Sequence, residues 1–164
     1  MKWLNDSVPY RFTAVFAFEG EDLHNVCLVD KQNPNVTNCP DQSITESYCI
    51  YIHRSSERFV LEHAMLDKRV EDHPKRQSFQ SYYGIPLFGS NRRVIGTVCH
   101  FDKEPVHVTV DCASALDDVS LLIAQAAFGE RCNDFKALGS RQRLRSGVAM
   151  NRATKVDCPK RRRS

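Results

Sequence analysis

Two runs, Ser81-Tyr82-Tyr83-Gly84-Ile85-Pro86-Leu87 and Val94-Ile95-Gly96-Thr97-Val98-Cys99-His100-Phe101-Asp102, constrain this chain more than any other feature. Both are rich in β-branched and aromatic residues, and the gap Phe88-Gly89-Ser90-Asn91-Arg92-Arg93 carries turn residues. That pattern predicts an antiparallel β-hairpin. Nearly every position on both strands is apolar or small, so neither face suits water. The hairpin is therefore expected at the centre of a sheet packed between two layers.

The flanking segments supply the rest of that sheet. Residues 10–30 read as a first hairpin, with Phe12, Phe16 and Phe18 on one face, Arg11, Thr13, Val15 and Ala17 on the other, and a turn at Glu19-Gly20-Glu21-Asp22. Residues 31–42 are a loop by composition. Ser43 with Glu46 three places on is a capping-box pattern, predicting a short helix to about His53 with Ile44, Tyr48, Ile50 and Tyr51 inward. Arg58 to Glu62 reads as a short strand, and Asp72-His73-Pro74 as the start of another short helix. Asp111 is the expected N-cap of a terminal helix in which Leu116, Val119, Leu122, Ile123, Ala126 and Ala127 recur at three- and four-residue intervals. Strands at both ends with helices between and after predict an α+β fold built on one central antiparallel β-sheet, with helices on both faces.

Composition narrows the function classes. At 164 residues the chain suits one domain with a real core. Its opening residues turn polar before a signal-peptide core could form, and no run approaches the ~20 apolar residues of a membrane span. The expectation is a cytoplasmic protein with no membrane partner. Cysteines at 27, 39, 49, 99, 112, 132 and 158 are odd in number and lack C-x-x-C spacing, so reduced thiols are expected. From Arg131 onward eleven basic residues face two acidic ones, whereas residues 1–130 hold twelve basic and eighteen acidic. The segment 139–164 is expected to be a disordered basic tail. Its charge suits nonspecific phosphate contact, but no aromatic follows Phe135 for base stacking, so a solvated extension is expected rather than a nucleic-acid partner.

Five blocks, in order, resemble the GAF domain, a small-molecule-sensing module of signalling proteins. Tyr10-Arg11-Phe12-Thr13-Ala14-Val15 is similar to the family's first strand, and Ser47-Tyr48-Cys49 to a block of a bacterial GAF subgroup. Asp67-Lys68-Arg69-Val70 with His73-Pro74 resembles the loop and short helix over the pocket. Tyr83 to Leu87 and Gly96 to Asp102 resemble the last two strands. The resemblance covers about residues 8–128 and implies a GAF-like sensor domain at 8–130. It implies a small-molecule ligand, no catalysis, output through a separate signalling partner, and a homodimer through the C-terminal helix.

The resemblance places the ligand between the sheet and the segments before the last hairpin. It implies contacts from Tyr48, Cys49, Asp67, Arg69, His73, Tyr83, Thr97 and Cys99, with Asp72 and Tyr82 nearby. A plainer account has Tyr48 and Tyr83 filling core and Asp67 with Arg69 bracing a loop. The chain identifies no cofactor. Some bilin-binding relatives attach chromophore through a Cys-His pair, but Cys99 and His100 are neighbours on a strand and face opposite sides. Cys49 would be the better attachment point. His53, His63, His73 and Cys49 match no zinc spacing, so no metal site is expected. One branch of the family resembles thiol-dependent reductases of free methionine sulfoxide. For such chemistry Cys49 and Cys99 would have to meet across the pocket. A third reading is a ligand-free dimerisation or scaffold domain.

Overall fold

The computed structural model describes residues 1–129, and the basic segment 139–164 lies outside them. Six strands form one antiparallel sheet in the order β3-β2-β1-β6-β5-β4. They are β1 (Phe12–Glu19), β2 (Asp22–Asp30), β3 (Gln42–Ser43), β4 (Phe59–Leu61), β5 (Ser81–Phe88) and β6 (Val94–Asp102). Helices α1 (Lys2–Asp6), α2 (Cys49–Ser55) and α3 (Val110–Phe128) cover both faces. No helix among the described residues is long and apolar enough to cross a membrane.

The two hairpins expected from the sequence pair with each other through their inner strands. β1 lies against β6 with Ala14 opposite Cys99 and Val15 opposite Val98. Period-two alternation then sorts the residues into two cores. Phe12, Ala14, Phe16, Tyr82 and Cys99 pack with α2 through Tyr48, Cys49 and Ile52. Val15, Ala17, Tyr83, Ile85, Leu87 and Val98 pack on the other face with Leu4 of α1 and Leu116, Ala124 and Phe128 of α3. Both central strands are buried on both sides, which is why they read as nearly continuous apolar runs.

Strand ends follow from local chemistry. Gly20, at φ +65°, makes the two-residue turn between Glu19 and Asp22. A register shift after Val15 leaves Val26 unpaired in β2, and the Asn25 side chain reaches the carbonyls of Val15 and Cys27 beside it. β4 pairs only with Tyr82–Gly84, so Pro86 falls where β5 has no outer neighbour.

Three local expectations need correction. Ser43 does not cap a helix: it is drawn into β3 opposite Asp22, and its hydroxyl meets Thr45. A single 3-10 turn follows at Ile44–Glu46, and α2 starts only at Cys49, whose N–H donates to Ser47 Oγ (3.3 Å). Pro74 opens no helix either. The helical turn of that loop is a 3-10 turn at Lys68–Val70, and residues 71–79 run through successive turns. Arg76 holds that path by donating to the carbonyls of Ala64 (3.1 Å) and Met65 (2.9 Å), bonds that a helix continuing from Pro74 would not provide. Finally, α3 begins at Val110, so Asp111 sits inside its first turn rather than before it.

The α3 face contains a buried polar row. Asn5 Nδ2 donates to Thr13 Oγ1 (2.7 Å), which shares a hydrogen bond with His100 Nδ1 (2.7 Å). The Tyr10 ring stacks on His100. Burial, aided by the Lys31 charge, pushes the His100 imidazole down to about 3. The folded chain thus resists a proton that the unfolded chain accepts near pH 6.5. Stability is complete above that pH and is lost as pH falls toward 3. Urea midpoints should fall between pH 6.5 and 4, and less steeply in His100→Gln; ring NMR should show His100 neutral throughout. Titration of His100 near pH 6 would reject this.

Gly96 is a packing constraint. A Cβ there would lie 2.3 Å from the Phe16 carbonyl oxygen and 2.7 Å from the Phe128 ring. Gly96→Ala should cost about 3 kcal/mol, lowering the urea midpoint with the slope unchanged.

Candidate functional site

The α2 face does not close completely. Between the sheet, α2 and two loops lies a cavity of about 470 Å³. Its floor and sides are Phe12, Phe16 and Leu28 from the first hairpin, Tyr82, Cys99 and Phe101 from the second, and Tyr48 and Cys49 from the start of α2. Cys39, Pro40, Asp41 and Gln42 form one rim, with Glu46, Ser47, Lys75 and Phe79 on the other side. The body of the cavity is therefore aromatic and sulfur-lined, and its charged groups stand at the rims. Such a distribution suits a small molecule with an apolar body and a polar head.

Hydrogen bonds set the walls. Tyr48 O–H donates to the Phe79 carbonyl (3.1 Å), tying α2 to the loop, and its ring stacks on His73 at 4.4 Å. Burial pushes the Tyr48 phenol up to about 12, so it remains a neutral donor. His73 stands behind Tyr48 rather than in the wall, accepting from Lys75 N–H at Nδ1 (3.1 Å). Thr97 shares the cavity side of β6 but is fully buried and donates to the Ile85 carbonyl (2.8 Å).

Cys49 and Cys99 do meet. Tyr82 O–H donates to Cys49 Sγ (3.4 Å), and both cysteines line the cavity, close enough that each shifts the other's ionisation. Burial opposes ionisation at both. At Cys49 the hydrogen bonds from Cys99, Ser47 and Tyr82 outweigh it and bring the thiol below its usual value. At Cys99, burial and the bond it makes to Cys49 push the thiol well up. Cys49 is therefore the more acidic of the pair. The half-buried Cys39 lies on the opposite rim, close enough that each thiolate disfavours the other.

Three expected residues lie elsewhere. Asp67 and Arg69 pair with each other (Nε–Oδ1 3.0 Å) beside the edge strand. Arg69 also donates to the Val60 carbonyl (2.7 Å) and covers the Phe59 ring at 4.9 Å. Both groups are spent on closing the free edge of β4. Tyr83 faces the opposite core, where its hydroxyl accepts from Arg58 (3.2 Å). The reason is register: Cys99 opposes Gly84, so Tyr82 shares its face and Tyr83 cannot. Sequence reasoning missed Cys39 to Gln42, Lys75 and Phe79, which sit in irregular loops with no periodicity to betray them. It also missed Phe12 and Phe16 as cavity walls, although their alternation marked the correct face. Among the described residues no cluster of three or more His, Cys, Asp or Glu could hold a metal ion.

No protein-family model and no curated protein matches this sequence. Solved structures do. The GAF domain of an Acinetobacter phosphoenolpyruvate-protein phosphotransferase superposes with TM-score 0.60 at 15% identity, covering 85% of this chain and 80% of its own. The GAF domain of a Bacillus halodurans two-component sensor histidine kinase gives 0.58 at 12%, over 84% and 91%. A type II free methionine-R-sulfoxide reductase from Thermoplasma acidophilum gives 0.60 at 14%, over 80% and 89%. The chain has a GAF-like fold. The expectation that it is not an enzyme is overturned, because this fold carries reductases as well as sensor domains at equal structural distance.

Proposed function

We propose that residues 8–130 form a sensory domain that holds a small, partly apolar molecule in the cavity beside α2. The observation that carries this reading is the cavity itself, walled by aromatic side chains with charged groups at its rims. Tyr48, Cys49 and Cys99 would touch the ligand, while His73 and Thr97 support the wall. Much of the enclosure comes from irregular segments, around 39–42 and 73–79, which a ligand can order at modest cost. Binding would shift the population of their closed arrangement. The output would pass to a separate signalling chain, with α3 as the contact surface and a homodimer as one assembly. Cytoplasmic residence and a bacterial source belong to the same reading.

The test is a fragment screen by NMR on isotope-labelled protein. Perturbed resonances should cluster at Tyr48, Phe79 and Tyr82. Cys39→Trp, which places bulk at the rim and keeps the backbone bond from Cys39 N–H to Asn25, should weaken those fragments at least tenfold with an unchanged urea midpoint. Fragments that perturb only the α3 face would reject the cavity as the site.

The presence of Cys39, Cys49 and Cys99 in the lining of one cavity supports a second reading: a thiol-dependent reductase of free methionine sulfoxide. Consumption of free methionine sulfoxide with dithiothreitol should then exceed the buffer rate and vanish in Cys49→Ser. A rate equal to buffer would dismiss this reading.

A further inference from the structure

The rim of the cavity carries three charged side chains, and they are not equivalent. Asp41 is already engaged. One oxygen accepts from Asn25 N–H (3.0 Å), and the other meets His24 Nδ1 (2.8 Å). Hydrogen bonds from His24 and Asn25 hold its carboxyl below the usual range. Glu46 is exposed, so water solvates its charge at no cost.

Lys75 differs from both. It is half-buried, it forms part of the cavity wall, and its ammonium makes no ion pair among the described residues. Its charge lies near enough to bear on Cys39 across the rim and on His73 of its own loop. Hydrogen bonds shape the turn that carries it. Lys75 N–H donates to His73 Nδ1, and its carbonyl accepts from Ser78 and Phe79 N–H. A lysine at the rim of an aromatic cavity, with no ion-pair partner among the described residues, is available to an anion that enters it. Below it lie the rings of Phe12, Phe16, Phe79, Tyr82 and Phe101. Together these surfaces ask for a negative charge at one end and a flat or branched hydrocarbon at the other.

We infer that the ligand is an aromatic or apolar monocarboxylate, its carboxylate paired with Lys75 and its body buried against the ring-lined floor. This rests on the cavity being the binding site and adds the ligand's charge and polarity to that reading. A neutral ligand would leave Lys75 unmatched. A cationic one would bring like charge to it and would have only the solvated carboxylates of Asp41 and Glu46 to face.

The probe is 1-naphthaleneacetate, compared with its uncharged isostere 1-naphthaleneacetamide, each titrated by naphthalene fluorescence and mapped by NMR on the full chain. The acetate should bind at least tenfold more tightly than the amide, with perturbations at Phe79 and Tyr82. Lys75→Gln should remove that preference by lowering acetate affinity to that of the amide, and Lys75→Arg should keep most of it. Rising salt should weaken the acetate and leave the amide nearly unchanged. Equal binding of acetate and amide to the wild-type protein would overturn the carboxylate assignment while leaving the cavity as the site. An acetate preference that persists in Lys75→Gln would overturn the role of Lys75. Failure of both probes to bind at millimolar concentration would overturn the inference, and the fragment screen then decides separately whether the cavity binds anything.

Discussion

The antiparallel pairing of β1 with β6 is the constraint on which the rest of this structure depends. It joins two hairpins that lie about seventy residues apart, and it sets which side chains share a face. With Ala14 opposite Cys99, the first hairpin's Phe12 and Phe16 fall on the same side as Tyr82, Cys99 and Phe101. A slip of one residue would turn one hairpin over relative to the other, sending Phe12 and Phe16 to the α3 face and bringing Val15 beneath α2. The cavity would then lose two of its aromatic walls. Register thus decides the chemistry of the site before any loop is placed.

The loops that enclose the cavity are anchored by polar contacts as well as by burial of Ala64 and Val70 in the core beside α2. Arg76 gathers the carbonyls of Ala64 and Met65, Tyr51 reaches the Arg69 carbonyl, and Tyr48 reaches that of Phe79. The loop 31–41 is attached to β2 through Leu28 N–H to the Thr37 carbonyl and through Asn25 to Cys39 N–H. Such bonds fix geometry but contribute little net stability each. Floor and cover thus share one buried cluster, and the polar bonds set the path of the cover over it.

The sheet was legible in the sequence because its signals are strong and local. Continuous apolar runs marked β5 and β6, alternating phenylalanines marked β1, and Gly20 marked the first turn. The helical segments were less legible. The Ser43–Glu46 pattern was genuine capping chemistry at a place where strand pairing took the serine first, and Pro74 was helix-compatible in a loop whose course Arg76 dictates. The site was legible only in part, and for a physical reason. Tyr48, Cys49 and Cys99 lie on regular elements whose facing could be reasoned out. Choosing Tyr82 over Tyr83 required the register of β5 on β6, a tertiary fact that no local pattern carries. Asp67 and Arg69 had the right residue types for a binding pair, yet an exposed strand edge claimed them. Lys75 and the residues around Cys39 gave no sign at all, since loops carry no period.

Gly96 gives the two halves of the molecule a common boundary. The aromatic hollow and the long C-terminal helix occupy opposite sides of the sheet and share no side chain. At this glycine, however, the backbone of Phe16, whose ring walls the hollow, and the ring of Phe128, at the end of that helix, both approach the same bare Cα. The partition there is one peptide thick, with no methyl to cushion it. An occupant that pressed on Phe16 would be felt at the last turn of α3 as a change in contact distance, with no relay of intervening residues required.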